Sequence, residues 1–176
     1  EVFMVGAYLA LTMLLMLGVV PAGLPSVVGV LVICAAAAMA GCGVLGWGIE
    51  RLAYRPLRRA PRLAALITAI GVSFFLQNAV MLLYGATDRR FPLFLPPVRW
   101  DLWGVTITPL QVLIWVISGA LMIGLQAFVM STRLGKAMRA TAQDPVACRL
   151  LGIPVDRVIS VTFVAGSMLA AVGGML

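Results

Sequence analysis

Five long apolar stretches, separated by short segments that carry the charge, constrain this chain more than any other feature of its sequence. They cover approximately residues 2–20, 26–49, 63–84, 109–130 and 158–176. A helix of about 20 apolar residues matches the roughly 30 Å hydrocarbon core of a bilayer. Because 62% of the residues are hydrophobic and only 11% are charged, a soluble fold of this size could not cover its apolar surface. The sequence therefore predicts an all-α, polytopic transmembrane helix bundle of about five spans in the lipid bilayer, forming a single domain over residues 1–176.

The distribution of the 13 basic residues predicts the orientation of the bundle. The segments 50–62 and 131–157 contain five basic residues each, whereas 21–25 contains none and 85–108 contains three. Since cytoplasmic loops of membrane proteins are enriched in Lys and Arg, both 50–62 and 131–157 are predicted to be cytoplasmic. The five arginines of the first loop then act as topology anchors: Arg51, Arg55, Arg58, Arg59 and Arg62.

Composition also excludes several classes of function. The net charge of +7 comes from loops beside apolar spans, which is not the basic patch of a nucleic-acid-binding module. The three cysteines have no framework spacing, and the chain has no histidine, so neither a disulfide set nor a metal site is predicted, and no cofactor. The second span is rich in Ala and Gly, which allow helices to approach closely, and this favours a position inside the bundle. Trp100 and Trp103 suit a membrane–water interface.

A short capped helix is predicted within the second cytoplasmic segment. Asp144 is a good N-cap, and Pro145 is favourable at the first helical position. Gly152 can adopt the left-handed conformation that ends a helix. The spacing places Ala147, Leu150 and Leu151 on one apolar face, while Arg139 belongs to a basic helical extension of the fourth span. One interpretation is that this helix packs on its own bundle and the arginines only fix the topology. The other is that the helix docks a cytoplasmic partner.

The uncharged polar residues of the spans are candidates for a translocation path. Ionisable groups inside membrane spans normally mark proton or ion pathways, and the predicted spans contain none beyond Glu1, which argues against proton coupling. Gln77 and Asn78 lie near the middle of the third span, together with Thr68 and Ser73. They are interpreted either as polar contacts on the path or as hydrogen bonds between helices. Because no phosphate-binding Gly-x-x-x-x-Gly-Lys-Ser/Thr motif occurs, the chain is not expected to hydrolyse ATP.

Several sequence blocks together resemble one family over essentially the whole chain. They are Glu50-Arg-Leu-Ala-Tyr-Arg-Pro-Leu-Arg, Leu66-Ile-Thr-Ala-Ile-Gly-Val-Ser, Phe75-Leu-Gln-Asn78, Arg133-Leu-Gly-Lys-Ala-Met-Arg-Ala, Leu150-Leu-Gly-Ile-Pro and Asp156-Arg-Val. The chain resembles the permease subunits of branched-chain amino-acid ABC importers of the Liv type.

The resemblance carries several expectations. It implies a coupling helix within 133–157 that meets cytoplasmic ABC ATPase subunits. It also implies a second permease subunit, a periplasmic substrate-binding protein and a location in the bacterial inner membrane. The expected substrate is a branched-chain or other hydrophobic amino acid. The chain is expected to be an internal piece, about half to two-thirds of a complete permease.

Three alternatives stay open at this point. Related ABC permeases carry amides or urea, and the spans do not exclude these substrates. A secondary transporter would need no ATPase but predicts an ionisable or ion-binding site in the spans. A membrane scaffold without transport activity would leave the capped cytoplasmic helix without a purpose.

Overall fold

The computed structural model describes residues 1–17, 24–59, 61–85, 100–102 and 105–175. Within these residues it has seven α-helices and two short strands. They are α1 (Val2–Leu17), α2 (Leu24–Ile49), α3 (Arg62–Tyr84), β1 (Trp100–Leu102), β2 (Val105–Ile107), α4 (Pro109–Ser131), α5 (Arg133–Gln143), α6 (Pro145–Leu150) and α7 (Val155–Met175). The predicted all-α polytopic class is confirmed.

Four of the helices are long and apolar enough to cross a membrane. The corresponding segments are Gly29–Tyr54, Leu63–Tyr84, Gln111–Ser131 and Val155–Met175. A helix satisfies its own backbone N–H and C=O groups, which is what a chain in hydrocarbon requires. The segment Val2–Met16 is a shorter apolar helix, and the predicted end of the first span, at 18–20, lies outside the described residues.

The second span extends further than the sequence predicted. Instead of ending at residue 49, the helix continues through a π-helical turn, Glu50–Tyr54, and a 3-10 turn follows at Pro56–Arg59. Between Ile49 and Pro56 there is neither a proline nor a glycine, so nothing in the local sequence stops the helix before Pro56. The first part of the predicted loop 50–62 is therefore helical.

The described residues divide into two compact units, of which the first comprises residues 1–90 and 159–175. Small residues form its tightest contacts, since Ala10, Cys34, Ala38, Cys42 and Ala171 are completely buried. A third of the apolar segment of α2 is buried, more than for any of the other three long spans, while large side chains such as Val32 and Val44 are exposed. The interior position of this helix stays a prediction. All three cysteines of the chain are free thiols.

The second unit comprises residues 91–158. It contains α4, α5, α6 and an antiparallel hairpin in which Trp100 pairs with Ile107 and Leu102 with Val105. The sequence predicts only a longer connection over 85–108. Strands of three residues are too short to produce a recognisable alternation, so the hairpin was not predicted. Of the two predicted interfacial tryptophans, Trp103 lies outside the described residues.

Candidate functional site

A sharp break separates the fourth span from the helix that follows it. The prediction of one continuous helical extension was wrong, because Thr132 leaves the helical conformation with φ −85° and ψ 155°. Its hydroxyl donates to the carbonyl of Phe128 at 2.6 Å and accepts from the backbone N–H of Gly135 at 2.9 Å. Thr132 therefore ends α4 and caps α5, which is a role that threonine performs well.

Close backbone contact fixes the direction in which α5 leaves α4. A Cβ atom added at Gly135 would lie 2.6 Å from the Cα of Val129, and closer still to the Val129 carbonyl group. These are main-chain atoms that cannot rotate away, so only glycine fits at this position. The turn at Thr132 thus aims the basic helix, with its exposed Arg133, Lys136 and Arg139, in one defined direction.

The short helix α6 has the capping geometry that the sequence predicted. One carboxylate oxygen of Asp144 accepts from the backbone N–H groups of Val146, at 2.8 Å, and Ala147, at 3.0 Å. Pro145 occupies the first helical position. At the other end Gly152 has φ 78°, and the N–H of Ile153 returns to the Cys148 carbonyl at 3.0 Å. This pair of features is a Schellman termination, which leaves few free backbone groups on a six-residue helix.

One side of α6 exposes apolar side chains. Leu150 is 85% exposed and Leu151 80% exposed, whereas Cys148 is only 4% exposed. Val146 is also largely exposed, and it lies one helical turn before Leu150. Val146 was not among the residues predicted for this surface, although its four-residue spacing from Leu150 would have identified it. Ala147 is half-buried at the edge of this surface.

The described basic side chains are exposed at the ends of the spans. The guanidinium of Arg139 contacts the sulfur of Met130 at 3.3 Å, and Arg51 lies over the ring of Trp47 at 5.2 Å. Arg55 is exposed. The side chains of the remaining predicted anchors lie outside the described part of the chain: Arg58, Arg59 and Arg62.

A second feature is a cavity of about 180 Å³ within the first unit, between α1, α2, α3 and α7. Most of its wall is apolar, and a smaller polar part carries Glu1, Ser73 and Ser167. The lining residues are Glu1, Val2, Gly46, Ile49, Tyr54, Ala69, Val72, Ser73, Leu76, Phe163 and Ser167. A cavity of about 150 Å³ is large enough for a benzene molecule, so this one has room for a branched aliphatic side chain.

The four predicted path residues separate into two pairs. Ser73 lines the cavity, and Gln77 donates to the carboxylate of Glu1 at 2.5 Å. In contrast, the Thr68 hydroxyl donates to the Ala64 carbonyl at 2.9 Å and the Asn78 amide to the Phe74 carbonyl at 2.8 Å. Both acceptors belong to α3 itself. Ser73 therefore lines the cavity and Gln77 bonds to a residue that lines it, Glu1. Thr68 and Asn78 instead donate hydrogen bonds to backbone carbonyls within α3.

Glu50 is the functional candidate that sequence reasoning missed. It is only 1% exposed, and one of its carboxylate oxygens accepts from the Ser160 hydroxyl of α7 at 2.7 Å. Glu50 directly follows the predicted end of the second span at residue 49, in the part of the membrane-length helix that continues to Tyr54. Glu50 is the first residue of an arginine-rich segment, so the sequence pattern placed it in the predicted loop 50–62.

These features define a polytopic membrane protein with a structured segment, α5–α6, between two of its spans. The family model described as branched-chain amino acid transport system, permease component, matches residues 1–176, and the chain belongs to this family. It is a multi-pass protein of the bacterial inner membrane.

Three curated relatives cover the whole chain, and all three are named high-affinity branched-chain amino acid transport system permease proteins. BraD of Pseudomonas aeruginosa is 42% identical over 180 residues. LivH of Escherichia coli K12 and LivH of Salmonella typhimurium LT2 are each 40% identical over 190 residues. The chain spans 58% of the length of each of these relatives. No solved structure shows significant similarity to it.

Proposed function

We propose that this chain is the membrane-spanning part of an ATP-driven importer that carries branched-chain or similar hydrophobic amino acids across the bacterial inner membrane. The observation that carries the proposal is the family match over all 176 residues. The names of the relatives at 40% and 42% identity support the substrate class. The importer would also need a second permease subunit and a periplasmic substrate-binding protein.

A separate cytoplasmic ATPase would dock on α6. In support, Leu150 and Leu151 present about four-fifths of their side chains to the surroundings, at a position that the basic loops assign to the cytoplasm. An apolar helix face is a common way to present anchor residues to a groove on a partner. The caps at Asp144 and Gly152 hold this face rigid, so that a push on α6 is transmitted to the chain on either side of it.

The cavity of the first unit would form part of the substrate path. Its wall combines aliphatic groups, which suit a branched side chain, with the hydroxyls of Ser73 and Ser167 and the carboxylate of Glu1. Polar groups at one part of a mostly apolar pocket are the arrangement that orients a small ligand. A free amino acid carries both a charged backbone and, in this class, an apolar side chain.

Uptake by living cells tests the substrate class. The complete permease, ATPase and binding protein are expressed in a bacterial host that lacks its own branched-chain amino-acid uptake, and entry of labelled leucine is measured. We expect uptake that excess isoleucine and valine abolish and that acetamide and urea do not affect. Competition by acetamide or urea alone would assign the protein to the amide and urea carriers instead.

A further inference from the structure

Two aromatic side chains meet at the cytoplasmic end of the cavity. Tyr54 closes the π-helical turn that follows α2, and Phe163 lies in the third turn of α7. Their ring centroids are 5.1 Å apart at an interplanar angle of 43°, a favourable tilted arrangement. Tyr54 is the last cavity-lining residue before the basic segment 55–62. Phe163 is the first cavity-lining residue of α7. Both rings therefore lie at the end of the cavity nearest the predicted cytoplasmic loops.

Glu50 and Ser160 form a second link between the same two segments. The Glu50 carboxylate is buried, and the Ser160 hydroxyl, three residues before Phe163, donates to it at 2.7 Å. Glu50 also begins the π-helical turn. The backbone N–H of Arg55 donates to the Glu50 carbonyl at 2.7 Å and closes this turn. Isolated π-helical turns inside α-helices occur frequently at functional sites. The same turn therefore places a buried carboxylate and an aromatic ring against α7.

Further along, the two helices pack closely at Gly46 and Ser167. A Cβ added at Gly46 would lie 2.7 Å from the Cβ of Ser167 and overlap its hydroxyl. Because Gly46 has no side chain, the backbone of α2 itself lies against Ser167. If α2 and α7 separate towards the cytoplasm, the contacts that must break include Glu50–Ser160 and Tyr54–Phe163.

We propose that Tyr54 and Phe163 form the cytoplasmic gate of the cavity and that Glu50, through Ser160, is the positioning residue that holds the gate closed. The inference rests on the proposed function, since it requires the cavity to belong to the substrate path. When the cytoplasmic ends of the two helices part, the carboxylate loses its hydroxyl donor, the rings separate, and the cavity opens towards the cytoplasm. When they return, both contacts form again.

Passive leakage tests the gate. The complete transporter is reconstituted into proteoliposomes without ATP or binding protein, and the entry of labelled leucine is followed for Tyr54→Ala and Phe163→Ala. Loss of an aromatic pair shifts a closed–open equilibrium by up to roughly tenfold, and we expect leakage to rise by a similar factor. Tyr54→Phe, which keeps the ring, and Phe75→Ala, which removes an exposed ring of α3, should leak no more than the wild type.

The positioning role of Glu50 has its own readout. Glu50→Ala should leak as the ring variants do, while Glu50→Gln, which keeps the shape and can still bond Ser160, should leak less. A merely structural role would lower the amount of folded protein in both variants without changing leakage per transporter.

Cross-linking keeps the inference testable even if the alanine variants fail to fold. In a background without native cysteines, Glu50→Cys combined with Ser160→Cys is joined by oxidation or by a short bifunctional thiol reagent. We expect the cross-link to arrest ATP-driven uptake and its reversal by reductant to restore uptake. Full uptake in the cross-linked state, or alanine variants that insert normally without leaking, would overturn the gate. Absence of leucine uptake by the wild type would instead refute the proposed function.

Discussion

If a cytoplasmic ATPase docks on α6 as proposed, replacing both exposed leucines of this helix by aspartate should uncouple the protein from that ATPase. Leu150 and Leu151 are 85% and 80% exposed, so their substitution removes few contacts within the chain itself. Exposed substitutions of this kind change the free energy of unfolding by about 0.5 kcal/mol or less. Binding to a partner is different, because burying a leucine contributes about 1.5–3 kcal/mol.

Two buried leucines together correspond to about 3–6 kcal/mol of binding free energy. At about 1.4 kcal/mol per tenfold change, the ATPase should bind Leu150→Asp/Leu151→Asp roughly 10²- to 10⁴-fold more weakly. The measurement is a binding titration of the purified ATPase against permease held in lipid nanodiscs.

Two control variants separate the possible causes of such a loss. Leu150→Met/Leu151→Met keeps apolar side chains of similar size and should retain binding within about tenfold. Gln143→Asp adds a negative charge at an exposed position before the cap and should also bind normally. An unchanged affinity for the double aspartate variant, at equal amounts of membrane-inserted protein, would refute docking on α6.

Three further predictions concern the cytoplasmic segment. Asp144→Ala removes the acceptor of two backbone N–H groups and should destabilise α6 by about 1 kcal/mol, which faster hydrogen exchange in this helix would reveal, whereas Asp144→Asn should behave nearly as the wild type. Gly135→Ala forces a Cβ against the Val129 main chain and should lower stability by about 1–3 kcal/mol in thermal unfolding, while Gly124→Ala, which meets open space, should not. A cysteine introduced by Arg149→Cys in a cysteine-free background should react with an impermeant thiol reagent only from the cytoplasmic side, and labelling from outside would reverse the predicted orientation.

Features that depend on neighbouring residues were predictable from the sequence. Asp144, Pro145 and Gly152 each perform a task defined by the local backbone, so the boundaries and caps of α6 follow from the residue types alone. The membrane-spanning class was predictable for a similar reason, because any helix of about 20 apolar residues is long enough to cross the hydrocarbon core of a bilayer. The break at Thr132 was also locally encoded, as a threonine three residues before a glycine, but the regular spacing of the basic residues favoured one continuous helix.

Features that depend on distant contacts were not predictable in this way. The carboxylate of Glu50 bonds to Ser160, 110 positions along the chain, while the segment that follows it is rich in arginines typical of a loop. The separation of Ser73 and Gln77 from Thr68 and Asn78 likewise depends on which side of α3 meets the cavity. All four residues are polar, and only their packing partners distinguish them.

ATP-driven uptake by purified components tests the central claim most directly. The permease, its ATPase and its binding protein are reconstituted into proteoliposomes with the binding protein on one side and ATP on the other, and labelled leucine is followed over time. The proposed function predicts accumulation against a concentration gradient that requires ATP, the ATPase and the binding protein together, and that isoleucine and valine inhibit. Accumulation driven by a proton gradient in the absence of the ATPase would contradict it.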